Sequence, residues 1–134
     1  MYKIFKLFLL IILKLAFFCH LALSADEKIK VGLLIPITGD DQNLGKQIIK
    51  SVRIALKDIN TNKLEIYIKN TNSNPSTTVK SAMELRDLGV KIVIGPVFYK
   101  SLTYLDEVQE VTFLSFTNKT LGLSKKVIST GINA

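Results

Sequence analysis

The side chains that perform most enzyme chemistry are absent from the larger part of this sequence. Its single cysteine and single histidine, Cys19 and His20, both lie in an apolar N-terminal segment. Cysteine nucleophiles, Ser-His-Asp triads, zinc sites built on His or Cys, and disulfides are therefore excluded from residues 26–134. Carboxylates, lysines, tyrosines and hydroxyls remain, without a paired-carboxylate or lysine-centred motif. The sequence predicts no catalytic residues, no metal site and no cofactor.

Small and polar residues at a strand end are the other chemical signal. Residues 38–43 (TGDDQN) follow an apolar run at residues 31–35 and precede a segment of helical spacing. They form a predicted turn at the carboxyl end of a strand, the edge where open parallel sheets bind ligands. Asp40 and Asp41 in this turn would suit an amine or a cation. No other clustered carboxylates join them, so a solvated turn is the simpler interpretation.

The elements that would position these groups alternate between strand and helix. Short apolar or alternating runs predict strands at residues 31–35, 64–69, 90–95, 111–116 and 127–129. Helical spacing predicts helices over residues 44–59, 75–88 and 101–110, the second with Asn74 as N-cap and Gly89 at its end, the third capped by Ser101. This order predicts an α/β fold with a doubly wound parallel sheet.

The N-terminus has the pattern of a secretory signal peptide. Two lysines in the first six residues precede a mostly apolar stretch, and small residues then precede a charged segment. A permanent membrane anchor is the rival interpretation, but Lys14 in the apolar stretch would cost roughly 2.5–3.5 kcal/mol on insertion. We therefore predict a signal peptide at residues 1–25, with cleavage after Ser24 or Ala25.

The charge of the remaining chain is moderate. The full sequence carries 18 Lys and Arg against 11 Asp and Glu. Three of the lysines lie in residues 1–25, so residues 26–134 keep 15 basic and 11 acidic side chains, a net charge of +4. These charges are scattered along the chain, which gives no support to nucleic-acid binding.

Several short motifs in fixed order resemble one family. The segment IKVGLLIPITGDDQNLGKQIIKSVRIALKDIN resembles the opening of type I periplasmic binding proteins of the leucine/isoleucine/valine-binding class. The resemblance continues through Asn74-Pro75, Val93-Ile94-Gly95-Pro96 and the predicted fourth strand up to Thr117. It implies that residues 26–134 are the first, incomplete part of one lobe of a two-lobed type I periplasmic binding fold.

The same fold offers two functional expectations. The first is a periplasmic solute-binding protein of an ABC importer, which binds amino acids or similar small solutes by lobe closure and delivers them to a membrane permease. The second comes from GPVF at residues 95–98, LSFTN at 114–118 and STGI at 129–132. These segments are similar to penicillin-binding-protein activators, whose partner is a peptidoglycan synthase and which need not transport a solute.

The resemblance also implies candidate ligand-binding residues at the strand ends. They are Thr38 and Gly39 after the first strand, Tyr99 and Ser101 after the third, and Thr117 and Asn118 after the fourth. Each has a plainer interpretation: Ser101 as an N-cap, Thr117 and Asn118 as turn formers. Tyr99 is expected to be partly exposed and able to stack on an apolar ligand, whereas its neighbour Phe98 is expected to pack.

Overall fold

Five parallel strands form one sheet in the computed structural model, which describes residues 1–6, 28–119 and 125–131. The elements are β1 (Ile29–Ile35), α1 (Gln42–Ile59), β2 (Leu64–Asn70), α2 (Pro75–Asp87), β3 (Ile92–Ile94), β4 (Thr112–Ser115) and β5 (Val127–Ser129). The strand order is β2-β1-β3-β4-β5. The predicted α/β fold with a parallel sheet is confirmed.

The predicted leader falls mostly outside the described residues, and so do both cleavage positions, Ser24 and Ala25. Within the described ranges, no helix combines the length and the apolar character needed to cross a membrane.

The main core lies between α2 and one face of the sheet. Leu34, Val93, Phe113 and Val127 come from four different strands and belong to one buried cluster with Val79, Ala82 and Leu85 of α2. The pairings Val93↔Phe113 and Phe113↔Val127 place the side chains of Val93, Phe113 and Val127 in one row across β3, β4 and β5. The cluster spans β1, β3, β4 and β5, and Tyr67 of β2 packs against it, so all five strands contribute to one core.

Helix α2 begins and ends where its sequence predicts. The Asn74 side chain accepts a hydrogen bond from the backbone N–H of Thr77 at 3.1 Å, and α2 starts at the proline that follows. Gly89 takes a positive φ of 83°, and the backbone N–H of Val90 donates to the carbonyl of Leu85 at 3.1 Å. This is the Schellman arrangement that a glycine after the last turn allows.

The predicted third helix is wrong. In place of a helix over residues 101–110, the structure has two short 3₁₀ turns, Tyr99–Leu102 and Leu105–Glu107. Tyr104 separates the turns with a left-handed φ of 69°. Leu105 and Val108 are nevertheless fully buried, as their spacing predicts. The two short turns bury both side chains without a continuous helix. Ser101 lies inside the first turn, so it is not a helix cap.

Candidate ligand-binding edge

The loops that carry the predicted site residues all lie at the carboxyl edge of the sheet. The crossover after β1 leads to β2 on one side, whereas the crossover after β3 leads to β4 on the other side. The strand order therefore reverses between β1 and β3, which is the switch point where open α/β sheets form a ligand crevice. Thr38 and Gly39 follow β1 at this point, and Tyr99 and Ser101 follow β3.

The loop after β1 is held by the loop after β2. Thr38 Oγ1 accepts a hydrogen bond from Asn70 Nδ2 at 2.7 Å and donates to Asn72 Oδ1 at 3.1 Å. Asn70 Oδ1 in turn accepts from the backbone N–H of Ile37 at 2.8 Å and of Asn72 at 2.9 Å. The Thr38 hydroxyl proton is thus engaged within the protein, and the hydroxyl belongs to a network that fixes both loops.

Gly39 and Asp41 complete this loop pair. Gly39 has a positive φ of 82°, which glycine adopts without strain. Asp41 Oδ2 accepts a hydrogen bond from Ser73 Oγ at 2.7 Å, which favours the turn interpretation for this carboxylate. No group of three or more metal-ligating side chains occurs in the described part of the chain.

The loop after β3 contains a buried hydroxyl, that of Ser101. Ser101 is 1% exposed, and its backbone N–H donates to the carbonyl of Phe98 at 3.0 Å. Its Oγ makes no hydrogen bond to any described residue. A buried polar atom left unpaired costs about 1–3 kcal/mol, so this atom is the most unusual group at the edge.

A cation and an aromatic ring connect the loops after β3 and β4. Lys119 Nζ lies 4.8 Å from the centroid of the Tyr99 ring, within the range of a cation–π contact. Tyr99 is 38% exposed, as predicted, and Phe98 is half-buried. This contact places a positive charge beside the predicted site residues of both loops.

Thr117 and Asn118 differ in their surroundings. Thr117 is buried, and its Oγ1 accepts a hydrogen bond from the backbone N–H of Lys119 at 3.2 Å. Its carbonyl accepts from the backbone N–H of Gly131 at 3.1 Å and from the hydroxyl of Ser129. Asn118 is exposed. Thr117 therefore anchors the end of β4 to the segment after β5, while Asn118 faces solvent.

Three residues at this edge were missed by the sequence reasoning. Asn70 and Asn72 organise the Thr38 loop, and Lys119 contacts Tyr99. The run NTNSN directly after the second strand was a usable signal, because Asn side chains commonly bond to nearby backbone. The Lys119 contact had no sequence signal, since it depends on two loops meeting in space.

The two carboxylates whose pKa is lowered, Glu84 and Glu110, lie outside these loops. A hydrogen bond from Lys69 at 2.7 Å lowers the pKa of Glu84, and one from Lys91 at 2.6 Å lowers the pKa of Glu110. The Lys91–Glu110 pair is exposed, whereas the Lys69–Glu84 pair, which joins β2 to α2, is partly buried. The groups at the carboxyl edge are hydroxyls, amides, backbone N–H groups, the Asp40 and Asp41 carboxylates and the ammonium groups of Lys100 and Lys119, all of which can bind and orient a ligand.

The chain belongs to the periplasmic binding protein family, whose sequence profile matches residues 28–130. Solved structures show the type I fold of this family, of which the described residues form part of one lobe. No curated protein matches the sequence.

Three solved structures illustrate the likeness. A branched-chain amino acid transporter protein from Rhodopseudomonas palustris is 18% identical over 79% of this chain, with a TM-score of 0.67. The leucine-binding protein LivK from Thermotoga maritima is 20% identical over 65% of this chain, with a TM-score of 0.59. LpoA from Haemophilus influenzae is 20% identical over 79% of it, with a TM-score of 0.63. The chain spans 33%, 27% and 20% of these structures respectively.

Proposed function

We propose that this chain is part of a periplasmic solute-binding protein that delivers an amino acid or a similar small solute to an ABC importer. Its membership of the periplasmic binding protein family carries the proposal. The switch point between β1 and β3 supports it, because binding groups converge there. The ligand would bind between this edge and a second lobe, and it would stabilise the closed arrangement of the two lobes.

Within this proposal, the loops after β3 and β4 supply the ligand contacts. The unpaired Ser101 hydroxyl would bond to the ligand, and Tyr99 would stack on it. Thr117 and Asn118 would line the same cleft, with Thr38 and Gly39 on the opposite side of the switch point. The ammonium of Lys119 beside Tyr99 favours a ligand with a carboxylate.

The domain organisation forms part of the same proposal. Residues 1–25 are a signal peptide, and residues 26–134 are the N-terminal portion of a leucine-binding-protein-like domain in the periplasm. N-terminal sequencing of the exported protein tests the leader. A mature chain that starts at Ala25 or Asp26 supports a cleaved signal peptide. A chain that retains Met1 supports the membrane anchor and contradicts cleavage.

A thermal-shift screen of the exported protein against amino acids and small carboxylates tests the binding function. A ligand at 100 times its Kd stabilises the native state by about 2.7 kcal/mol, which raises the melting temperature by several degrees. We expect such a shift for one chemical class and none for unrelated sugars. The absence of a shift across the whole set would contradict solute binding.

A second candidate function is regulation of peptidoglycan synthesis. The likeness to LpoA over 79% of this chain favours it, together with the activator-like segments noted in the sequence. This function requires a protein partner and no small ligand. Capture of a purified peptidoglycan synthase by the exported protein, without any ligand-dependent shift in melting temperature, would support it over transport.

A further inference from the structure

Helix α1 carries all of its positive charge on one flank. Gly45 is buried against the strand end, and the half-buried Val52 and Leu56 continue the line that faces the sheet. The cations of the helix are spaced four, three and four residues apart: Lys46, Lys50, Arg53 and Lys57. Each residue turns the helix by about 100°, so these four side chains lie within about 60° of one another and extend over about 16 Å of the axis. All four are exposed, and we call them the basic stripe.

The basic stripe differs from the other charged surface that the structure describes. None of its side chains makes an ion pair or a hydrogen bond with a described residue, whereas Lys69, Arg86 and Lys91 each pair with a carboxylate. Asp58 is the only acidic residue of α1, and it lies about 110° round the axis from the middle of the stripe. Four cations without an interspersed anion produce a positive field at this side of the molecule.

The strand order places the basic stripe at the outer side of the sheet. Helix α1 connects β1 to β2, and within the described residues β2 is an end strand that pairs with β1 alone. In a right-handed crossover from β1 to β2, the residues about 100° beyond the buried line point towards β2 and its outer edge. A further protein layer over the stripe would remove four unpaired charges from water at a large cost. The stripe therefore belongs to the surface of a longer chain as well.

We propose that the basic stripe docks the protein on an anionic phospholipid bilayer. The stripe has no pocket and no fixed fork of donors, so it requires anions that can adapt to it. Phospholipids diffuse laterally, and each ammonium or guanidinium can therefore gather a phosphate of its own. Each Lys or Arg near an anionic bilayer strengthens binding by about fivefold, so four of them together contribute on the order of several hundredfold.

Ile54 favours a bilayer over an acidic protein as the partner. Its side chain is 53% exposed, and Lys50 and Lys57 lie four residues before it and three residues after it, on the same side of the helix. At a bilayer surface the lysines meet phosphates, while an apolar side chain between them enters the boundary with the acyl chains. A protein interface would need a larger apolar centre with aromatic anchors, which the stripe and Ile54 do not supply.

Docking through the basic stripe leaves the candidate ligand-binding edge accessible. Helix α1 returns antiparallel to β1 and β2, so a bilayer against its outer flank lies along the side of the sheet and not across the carboxyl edge. The choice of a bilayer rests on the proposed function, which places the protein beside a membrane permease. Vesicle binding and the ligand-induced thermal shift are separate measurements, so either proposal can fail without the other.

Co-sedimentation of the exported protein with lipid vesicles tests the docking. We expect binding to phosphatidylcholine vesicles that contain about one third phosphatidylglycerol, none to pure phosphatidylcholine, and loss of binding at high salt. Lys50→Gln combined with Arg53→Gln removes two stripe charges and should weaken binding by about 25-fold. Glutamine is a good helix former, so α1 is retained.

The matched control is Lys80→Gln combined with Lys125→Gln. It removes the same charge from exposed positions on α2 and before β5, and it should bind like the wild type. A wild type that does not bind the anionic vesicles, or equal weakening in the two double variants, would overturn the proposal. Binding to poly-L-glutamate without binding to the vesicles would also overturn it and would assign the stripe to an acidic polypeptide.

A fluorescent label locates the contact on the helix. Residues 26–134 contain no cysteine, so Ile54→Cys and Ala55→Cys each create a single labelling position. Position 54 adjoins the basic stripe, whereas position 55 lies about 100° further round the helix, on the flank opposite the stripe. A polarity-sensitive label at position 54 should shift its emission to the blue when anionic vesicles are added, and a label at position 55 should not. Equal shifts at both positions would place the contact elsewhere and contradict docking through the stripe.

Discussion

Ser101 and Ser115 are both buried near the carboxyl edge of the sheet and differ in their hydrogen bonds. Ser115 Oγ donates to the carbonyl of Pro96 at 2.8 Å and accepts from the backbone N–H of Thr117 at 3.3 Å. Ser101 Oγ has no partner among the described residues. Both side chains are buried, but of the two hydroxyls only that of Ser115 has a hydrogen-bond partner in the described part of the chain.

Replacing each serine with alanine should therefore have different effects. Ser115→Ala should lower the free energy of unfolding by about 1–3 kcal/mol, since it leaves buried groups unpaired. Ser101→Ala should leave the ligand-free stability unchanged or slightly raised, because it removes an unpaired polar atom. Denaturant titration measures both values. If Ser101 contacts the ligand, its variant should also lose the thermal shift that the ligand gives to the wild type.

The two lysine–glutamate pairs predict how stability depends on pH. Hydrogen bonds from Lys69 and Lys91 depress the pKa of Glu84 and Glu110 in the folded protein. A depressed carboxyl pKa contributes stability above the ordinary glutamate value of about 4.3 and loses it as the pH falls through the folded value. The urea midpoint should therefore fall as acid is added below this range.

The variants Glu84→Gln and Glu110→Gln isolate these two contributions. Each variant should lose the contribution of its ion pair near neutral pH and approach the wild-type stability in acid, so the acid limb of its stability profile should be flatter. The Glu110 pair is exposed and the Glu84 pair is only partly buried, so each effect should be small. An acid limb that keeps its full slope in the double variant would show that other carboxylates cause it.

At the scale of the element, Gly45 decides how closely α1 approaches the sheet. Gly45 is the only buried residue of α1. A Cβ atom at this position would overlap the carbonyl oxygen of Pro36, which directly follows β1. Backbone lies on both sides of this contact, so neither partner can rotate away.

Gly45→Ala should displace α1 and lower the free energy of unfolding by about 1–3 kcal/mol or more, although alanine is the better helix former. Ser51→Ala, at an exposed position of the same helix, should leave stability unchanged or slightly raised. Thermal denaturation monitored by circular dichroism compares the two. A Gly45 variant as stable as the Ser51 variant would mean that α1 does not touch the strand end.

The elements also show which parts of the fold the sequence determines. The strands and α2 were predictable because apolar spacing, Asn74 and Gly89 act within a few residues of chain. The structure of residues 99–107 was not predictable in this way. The left-handed backbone of Tyr104 separates two short turns, and this arrangement buries both Leu105 and Val108. Apolar spacing along the chain cannot distinguish two short turns from a continuous helix.

The location of the candidate site at the carboxyl edge was predictable from the strand ends in the sequence. The Asn70 network and the Lys119 contact were not predictable, because they arise only when separate loops meet.

For the whole molecule, the direction of the crossovers determines where the helices lie. The crossovers from β2 to β3, from β3 to β4 and from β4 to β5 all run towards the same edge of the sheet. Helix α2 and the 3₁₀ turns therefore lie on the same face and share one buried core. Among the described helices, α1 belongs to the crossover that runs the other way, and it lies on the other face. The strand order therefore decides which face of the sheet each described helix covers.

The asparagine network after β1 and β2 bears on how such a protein could change its ligand. Asn70 and Thr38 hold one side of the switch point by mutual bonds, so substitutions there would loosen two loops at once. On the other side, Tyr99, Asn118 and Lys119 expose side chains at loops whose anchors, Ser115 and Thr117, lie beneath them. Under the proposed function, substitutions confined to those three exposed positions would change the contacts with the ligand and leave the hydrogen bonds of the loops intact. The edge thus contains side chains that hold the loops together and, beside them, side chains that are exposed to solvent.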